Sequence, residues 1–173
     1  MSSEREFKSL PVVILTVSDS RTEADDTSGN LLRTLIEESG HRVVEKTICP
    51  DDRYQIRALV SRWIADPDVP VVITTGGTGL TGRDGTPEAV GPLLDKVIDG
   101  FGEMFRVISY DLIGTSTMQS RTLAGVANGT FVFCLPGSSG ACRDGWTRLI
   151  SHQLDYRTKP CNLVELMPRL LEH

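Results

Sequence analysis

Apolar residues occur along the chain in two kinds of run: short β-branched stretches and longer stretches with helical spacing. A short run made mostly of Val and Ile is typical of a strand buried on both faces of a sheet. The strands predicted in this way are 11–17, 41–49, 69–75, 123–126 and 130–135. Apolar residues three and four positions apart instead predict amphipathic helices. The predicted helices are 27–38, a helix that begins after Asp51 or Asp52 and ends before Pro67, 87–97, 102–112, 142–154 and a short surface helix within 160–173.

The order of these elements predicts an α/β fold. Strands separated by helices of this length imply a mostly parallel sheet with helices on both faces. Asn128-Gly129, between the last two strands, is a strong signal for a tight turn. No internal repeat or linker is present, so we expect one domain over residues 11–173 behind a flexible arm of residues 1–10.

Four loops follow predicted strands and should meet. The carboxyl ends of parallel strands lie along one edge of a sheet, where ligands of α/β proteins usually bind. The loops expected at this edge are 18–20, 50–52, 76–88 and 136–138.

Composition and charge narrow the class of protein further. The 173 residues are enough for one full hydrophobic core. The net charge of −5 argues against a nucleic-acid partner, which usually requires a basic face. No apolar run approaches the roughly 20 residues that cross a membrane, and the first residues lack the plan of a signal peptide. We therefore expect a cytoplasmic protein with no membrane partner, whose four scattered cysteines are free thiols and not zinc ligands.

The loop of residues 76–88 is the strongest candidate for chemistry. It follows an apolar strand and contains five glycines. It leads into Thr86-Pro87, which predicts a helix with Thr86 as its N-cap and Pro87 at its first position. Exposed backbone N–H groups and a helix N-terminus both favour a phosphate. The loop has neither the G-x-G-x-x-G order nor the Gly-Lys-Ser/Thr ending of common nucleotide motifs. A phosphate loop of another type is the better interpretation, and a turn that needs glycine only for its backbone is the alternative.

Carboxylates near such a loop often hold Mg²⁺, which bridges carboxylate and phosphate oxygens. The candidates are Asp84 within the loop, Asp51 and Asp19. Asp51 is equally well explained as a helix N-cap, and Asp19 as a solvated turn residue. There is no G-x-S-x-G elbow and no histidine beside a loop serine. The residues therefore favour phosphoryl or nucleotidyl transfer onto an acceptor that is already ionised.

Several motifs together resemble the molybdenum cofactor biosynthesis family, which includes bacterial MogA and MoaB and the matching domains of plant Cnx and animal gephyrin. The resemblance runs from about residue 11 to 160. The motifs that carry it are Thr75-Gly76-Gly77-Thr78-Gly79, Arg83-Asp84-Gly85-Thr86-Pro87-Glu88-Ala89, Gly100-Phe101-Gly102-Glu103 and Leu135-Pro136-Gly137-Ser138. Residues 25–29 and 114–121 make the MoaB branch the most similar.

The resemblance implies a three-layer α/β/α fold that assembles as a trimer or a hexamer. It implies that molybdopterin and ATP are bound, and that the terminal phosphate of molybdopterin is adenylylated with Mg²⁺ while pyrophosphate leaves. A non-catalytic molybdopterin carrier, or a scaffold that docks other cofactor-synthesis enzymes, is the alternative in the same pathway.

Matching this chain to the family's motifs assigns roles to individual residues. The implied catalytic and metal-binding residues are Asp51 and Asp84. The residues expected to bind substrate or nucleotide are Ser18, Asp19, Ser20, Gly76, Gly77, Thr78, Gly79, Arg83, Thr86, Glu103, Ser120, Arg121, Pro136, Gly137 and Ser138. The family often has Pro-Gly-Asn-Pro where this chain has Pro-Gly-Ser-Ser, so nucleotide contacts at 138–139 differ from the pattern. For Glu103 a favourable helix start, and for Arg121 a surface ion pair or a subunit contact, are alternative explanations.

Overall fold

A six-stranded sheet organises the chain in a computed structural model that describes residues 5–172. The strands are β1 (Pro11–Val17), β2 (Arg42–Cys49), β3 (Val71–Thr75), β4 (Lys96–Val97), β5 (Leu123–Ala127) and β6 (Thr130–Leu135). Their order is β2-β1-β3-β6-β5-β4. The first four strands in this order are parallel, and β5 is antiparallel to both β6 and β4. The sheet is therefore mostly parallel, as predicted.

Helices cover both faces of the sheet and give three layers. They are α1 (Thr27–Glu38), α2 (Arg53–Ala65), α3 (Thr86–Val90), α4 (Asp99–Ile113), α5 (Ser139–Gly145) and α6 (Ser151–Gln153), with a π-helical turn at Trp146–Ile150 between the last two. Successive side chains of a strand point to opposite faces. Ile14 of β1 packs in the cluster that includes residues of α1, α4 and α5, whereas Leu15 packs with α2 and α3.

Four predicted helices differ from the structure, and the one predicted over 102–112 differs only in its bounds, Asp99–Ile113. The prediction for 87–97 was wrong beyond Val90, because Gly91 and Pro92 lead into a 3₁₀ turn and the chain then forms edge strand β4. The prediction for 160–173 was also wrong over its described part. Residues Leu163–Glu165 and Met167–Arg169 form two 3₁₀ turns, and Pro168 lacks the N–H that a continuous α-helix needs. The helix predicted over 142–154 begins earlier and is interrupted by the π-helical turn.

Part of the predicted N-terminal arm, residues 1–4, lies outside the described residues, and so does His173. Within the described part, Leu10 is buried and the Phe7 ring lies 5.0 Å from the His41 ring. Among residues 5–172, no helix is both long and apolar enough to cross a membrane. Cys49, Cys134 and Cys142 are buried free thiols, and Cys161 is an exposed one.

Candidate functional site

The four loops predicted to meet do so at the carboxyl ends of β1, β2, β3 and β6. The backbone N–H of Asp51 donates to Asp19 Oδ1 at 3.0 Å, which joins the loops after β2 and β1. The hydroxyl of Thr75, the last residue of β3, donates to the carbonyl of Pro136 at 3.0 Å. Neighbouring parallel strands thus bring residues far apart in sequence into one site.

The glycine loop requires glycine at its first two positions. Gly76 and Gly77 have φ of +102° and +67°, a region that side chains disfavour. A Cβ on Gly76 would collide with the carbonyl oxygen of Val17, and one on Gly77 would collide with the hydroxyl of Thr86. The loop therefore packs closely against β1 and α3, with its backbone at the site.

The prediction that Thr86 caps α3 was wrong by one residue. The N-cap is Gly85, and Thr86 is the first residue of the helix. Its buried hydroxyl donates to the carbonyl of Gly76 at 2.9 Å. Thr86 thus holds Gly76, the first residue of the glycine loop, by a buried hydrogen bond.

Asp84 turns back onto the glycine loop. Its Oδ2 accepts hydrogen bonds from the hydroxyl of Thr81 at 2.6 Å and from the N–H of Thr81 at 2.8 Å. These bonds, the hydroxyl's first, lower the pKa of Asp84. The side chain lies against Gly79, where an added Cβ would stand 2.7 Å from Oδ2 and 3.3 Å from Oδ1. Asp84 is therefore an ionised carboxylate on the wall of the loop.

Asp51 lies at the site, whereas the next residue, Asp52, caps helix α2. Asp52 accepts from the N–H groups of Tyr54 and Gln55 and is the N-cap of α2. Asp51 Oδ1 instead accepts from the N–H of Gly85 at 3.1 Å. Burial raises the pKa of Asp51, and the negative charges of Asp84 and Asp19 act in the same direction. A cation beside Asp51 would relieve this unfavourable concentration of negative charge.

Arg83 joins the glycine loop to the loop after β1. Its guanidinium donates to both oxygens of Asp19, at 3.0 and 2.7 Å. These hydrogen bonds lower the pKa of Asp19. Ser18 acts within its own loop, where its hydroxyl oxygen accepts from the N–H groups of Ser20 and Arg21. The Asp19 side chain is thus engaged by protein partners.

Arg121 forms hydrogen bonds with the backbone of the glycine loop. Its guanidinium donates to the carbonyls of Gly79, at 2.8 Å, and Asp84, at 3.1 Å, and it forms an ion pair with Glu88. Arg121 therefore acts here on the protein itself. Glu88 was not among the predicted site residues, although its position in the motif of residues 83–89 could have indicated it.

A cleft of about 410 Å³ opens beside the loop. Predicted residues that line it are Gly77, Thr78, Gly79, Asp84, Ser120, Pro136, Gly137 and Ser138. Glu103 is exposed on α4 and does not line the cleft. Three residues of α4 that the sequence motifs did not predict also line the cleft: Phe105, Ser109 and Ile113. Their spacing of four on one helix face is the signal that could have found them.

The polar groups of the cleft are partly unpaired. The hydroxyl oxygen of Ser120 is buried and has no hydrogen-bond partner in the described chain. A buried polar atom without a partner is unfavourable, so a ligand that bonds to it would be stabilised. Ser138 differs, because its hydroxyl accepts from the N–H of Ala141 and caps α5.

The carboxylates fit a magnesium ion that completes its shell with other oxygens. Within residues 5–172, no group of three or more His, Cys, Asp or Glu side chains could hold a metal. No side chain of the described residues donates to Asp51 Oδ2 or Asp84 Oδ1, and both oxygens lie at the glycine loop. Mg²⁺ in phosphate sites commonly takes only one or two carboxylates, with water and phosphate oxygens filling the remaining positions.

A glycine loop at the edge of a mostly parallel sheet, with two carboxylates beside it, is typical of α/β proteins that bind phosphorylated ligands. The chain belongs to the molybdenum cofactor biosynthesis family, whose model, a probable molybdopterin binding domain, matches residues 13–156.

Named relatives agree with this assignment. The molybdenum cofactor biosynthesis protein B of Escherichia coli (strain K12) is 57% identical over 157 residues, which cover 91% of this chain and 92% of that protein. A crystal structure of a molybdenum cofactor biosynthesis protein B has a TM-score of 0.84 at 48% identity, covering 87% of this chain and 94% of that one. The tungsten cofactor synthesizing protein MoaB from Pyrococcus furiosus has a TM-score of 0.73 at 38% identity, covering 80% and 88%.

Proposed function

We propose that this chain acts in molybdenum cofactor biosynthesis by transferring AMP from ATP to the terminal phosphate of molybdopterin. An oxygen of that phosphate forms a bond to the α-phosphorus of ATP, and the bond to the pyrophosphate leaving group breaks. Because the acceptor is already ionised, the reaction needs no nucleophilic side chain and no general base.

The observation that carries the proposal is the meeting of Asp51 with the glycine loop. The N–H of Gly85 holds Asp51 Oδ1, and Oδ2 lies 2.8 Å from the position that a Cβ of Gly77 would occupy. The Asp51 carboxylate therefore lies directly beside the backbone of the glycine loop. Mg²⁺ held by this carboxylate would neutralise charge on a phosphate bound to the loop.

Each wall of the cleft has a part in this reaction. The glycine loop binds phosphate oxygens through backbone N–H groups. Asp51 and Asp84 would hold Mg²⁺, which when bound neutralises charge on the phosphates. Ser120 offers its buried hydroxyl to a polar group of the substrate. Phe105 and Ile113 supply an apolar surface suited to a flat heterocycle.

The test is an adenylylation assay with an Asp84→Asn variant. Incubation of the wild type with ATP, Mg²⁺ and molybdopterin should yield adenylylated molybdopterin and pyrophosphate. Asp84→Asn removes a charge that the metal needs, so turnover should fall by at least roughly a hundredfold with the fold intact. The matched control is Asp68→Asn, because Asp68 is exposed and lines a different cleft; its turnover should match the wild type.

The assay also separates the alternatives. Near-normal turnover by Asp84→Asn would remove Asp84 from the mechanism. Tight binding of molybdopterin by the wild type, without product and without affinity for ATP, would identify a non-catalytic carrier. Capture of other cofactor-synthesis enzymes in the absence of molybdopterin would instead support a scaffold.

A further inference from the structure

A second cleft, of about 400 Å³, lies elsewhere on α4. It shares no residue with the cleft beside the glycine loop, which we call the phosphate cleft after its proposed ligand. The first turns of α4 form one side of it, through Phe101 and Met104, and residues 148–153 form the other. Its volume is in the range of roughly 300–1,000 Å³ that is usual for small-molecule sites.

The floor of this cleft is apolar and leaves open space. The rings of Phe101 and Phe133 meet edge to face at 5.4 Å between centroids, with Leu149 and Ile150 beside them. A Cβ added to Gly100, which also lines the cleft, would meet no atom within 4 Å. These floor residues are at most 8% exposed, whereas Met104 at the rim is 58% exposed, so an apolar ligand would gain free energy chiefly by covering Met104.

Two basic side chains border the apolar floor. Arg148 and His152 are four residues apart, so they lie on the same helix face, and both line the cleft. In the described part of the chain, neither takes part in an ion pair. A basic residue near the end of a helix is favourable in itself, but that does not explain why both open onto an apolar cleft.

The backbone at this wall is also unusual. Arg148, Leu149 and Ile150 belong to the π-helical turn Trp146–Ile150. Such turns are rare and occur frequently at functional sites. Here the turn contributes three lining residues to the second cleft and none to the phosphate cleft.

We propose that the second cleft binds a small amphipathic carboxylate. Its apolar body enters the cleft against Met104 and the edge of Phe101, and its carboxylate lies between Arg148 and His152. The planar guanidinium of Arg148 suits a carboxylate, because two parallel N–H groups can donate to its two oxygens. An uncharged molecule of the same length would satisfy only the apolar part of the site.

Methionine methyl NMR with octanoate as the probe tests this proposal. Met104 lines the second cleft, whereas Met118 is 79% exposed and lines neither cleft. Octanoate should shift the Met104 methyl signal saturably and leave Met118 unchanged. Octanol should bind at least about tenfold more weakly than octanoate, because a charge-assisted hydrogen bond is lost.

Two variants locate the site. Arg148→Met should weaken the binding of octanoate about tenfold and leave the binding of octanol unchanged. The control is Arg143→Met, because Arg143 is exposed on the preceding helix α5 and lies outside the cleft. It should change the binding of neither probe. Gly100→Met should fill the cleft and remove binding of both probes, and circular dichroism should show that it is folded. If Gly100→Met does not fold, the Arg148 and Arg143 pair still decides.

Three results would overturn the proposal. They are equal binding of octanoate and octanol, equal effects of the two arginine variants, and a change in subunit number caused by Gly100→Met without loss of the octanoate response. The last result would identify the cleft as a contact between copies of the chain.

Discussion

Gly76 lies where β3 ends and the glycine loop begins, and no side chain fits there. Its φ of +102° is unfavourable for any other residue, and its α-carbon faces the carbonyl of Val17 on the neighbouring strand. Both conditions arise from the closeness of the loop to the first strand. That closeness places the loop's backbone next to Asp51.

Gly76→Ala should therefore lower the free energy of unfolding by about 2–4 kcal/mol, combining backbone strain with a steric collision. Urea unfolding measures the change. Gly82→Ala is the matched control in the same loop, because a Cβ there meets nothing within 4 Å; its effect should stay within about 0.5 kcal/mol. Equal effects would mean that the loop tolerates a side chain at its first position.

Among the elements, the turn between α1 and β2 depends on a buried histidine. His41 Nδ1 accepts a hydrogen bond from the N–H of Leu10 at 3.1 Å, and its ring packs against Phe7 and Trp146. A ring nitrogen can accept only when it carries no proton. Burial lowers the pKa of His41, although the charge of Asp155 opposes this shift.

This gives a pH dependence of definite sign. Because the folded pKa of His41 lies below its ordinary value of 6.5, stability is full above that pH. It is lost as the pH falls further, since the unfolded state then binds more protons. Urea unfolding at about pH 7.5 and 5.5 should show this loss of stability. His41→Gln should abolish the loss. His152→Gln is the control, because His152 is exposed, and it should retain the loss. An unchanged pH dependence in His41→Gln would contradict the prediction.

The sequence predicts elements well where the apolar pattern has clear ends. Strand β1 and helix α1 have their predicted bounds, because Ser18 follows the strand, and Asp26 and Ser39 flank the helix. Strand β4 has only two residues, Lys96 and Val97, and forms by pairing with β5. A two-residue strand shows no periodicity, so no local pattern could reveal it.

Prediction of the site was limited in the same way. Loop positions followed from strand order, and so the meeting of the four loops was predictable. The roles of adjacent aspartates were not, because Asp51 and Asp52 differ only in which backbone N–H groups they meet. The α4 wall depends on how the helix packs across the sheet, which is information that the loop motifs do not contain.

At the scale of the whole molecule, α4 carries a row of exposed apolar side chains. Val107, Tyr110 and Ile113 follow one another at intervals of three residues along the helix and are all more than half exposed. An exposed apolar patch of this kind usually marks a contact with another protein. We therefore propose that the chain assembles with copies of itself, and the family resemblance implies a trimer or a hexamer.

Val107→Glu should therefore break the assembly, because burying an unpaired carboxylate in an apolar contact is costly. Light scattering coupled to gel filtration measures the molar mass, which should fall toward the 19.0 kDa of one chain. Tyr54→Glu is the control, since Tyr54 is 71% exposed on α2 and α2 packs on the other face of the sheet. A wild type that is itself a 19.0 kDa monomer would refute the proposed assembly.

The contacts of Arg121 have a consequence for how the site exchanges its occupants. Its guanidinium connects two carbonyls of the glycine loop to Glu88 by bonds that span 33 to 42 positions of sequence. The loop thus loses its conformational freedom when the protein folds, and an arriving phosphate does not have to order it. Under the proposed function, one phosphate group would then replace another on a surface of constant shape, so the rate of exchange would depend on how fast each anion leaves.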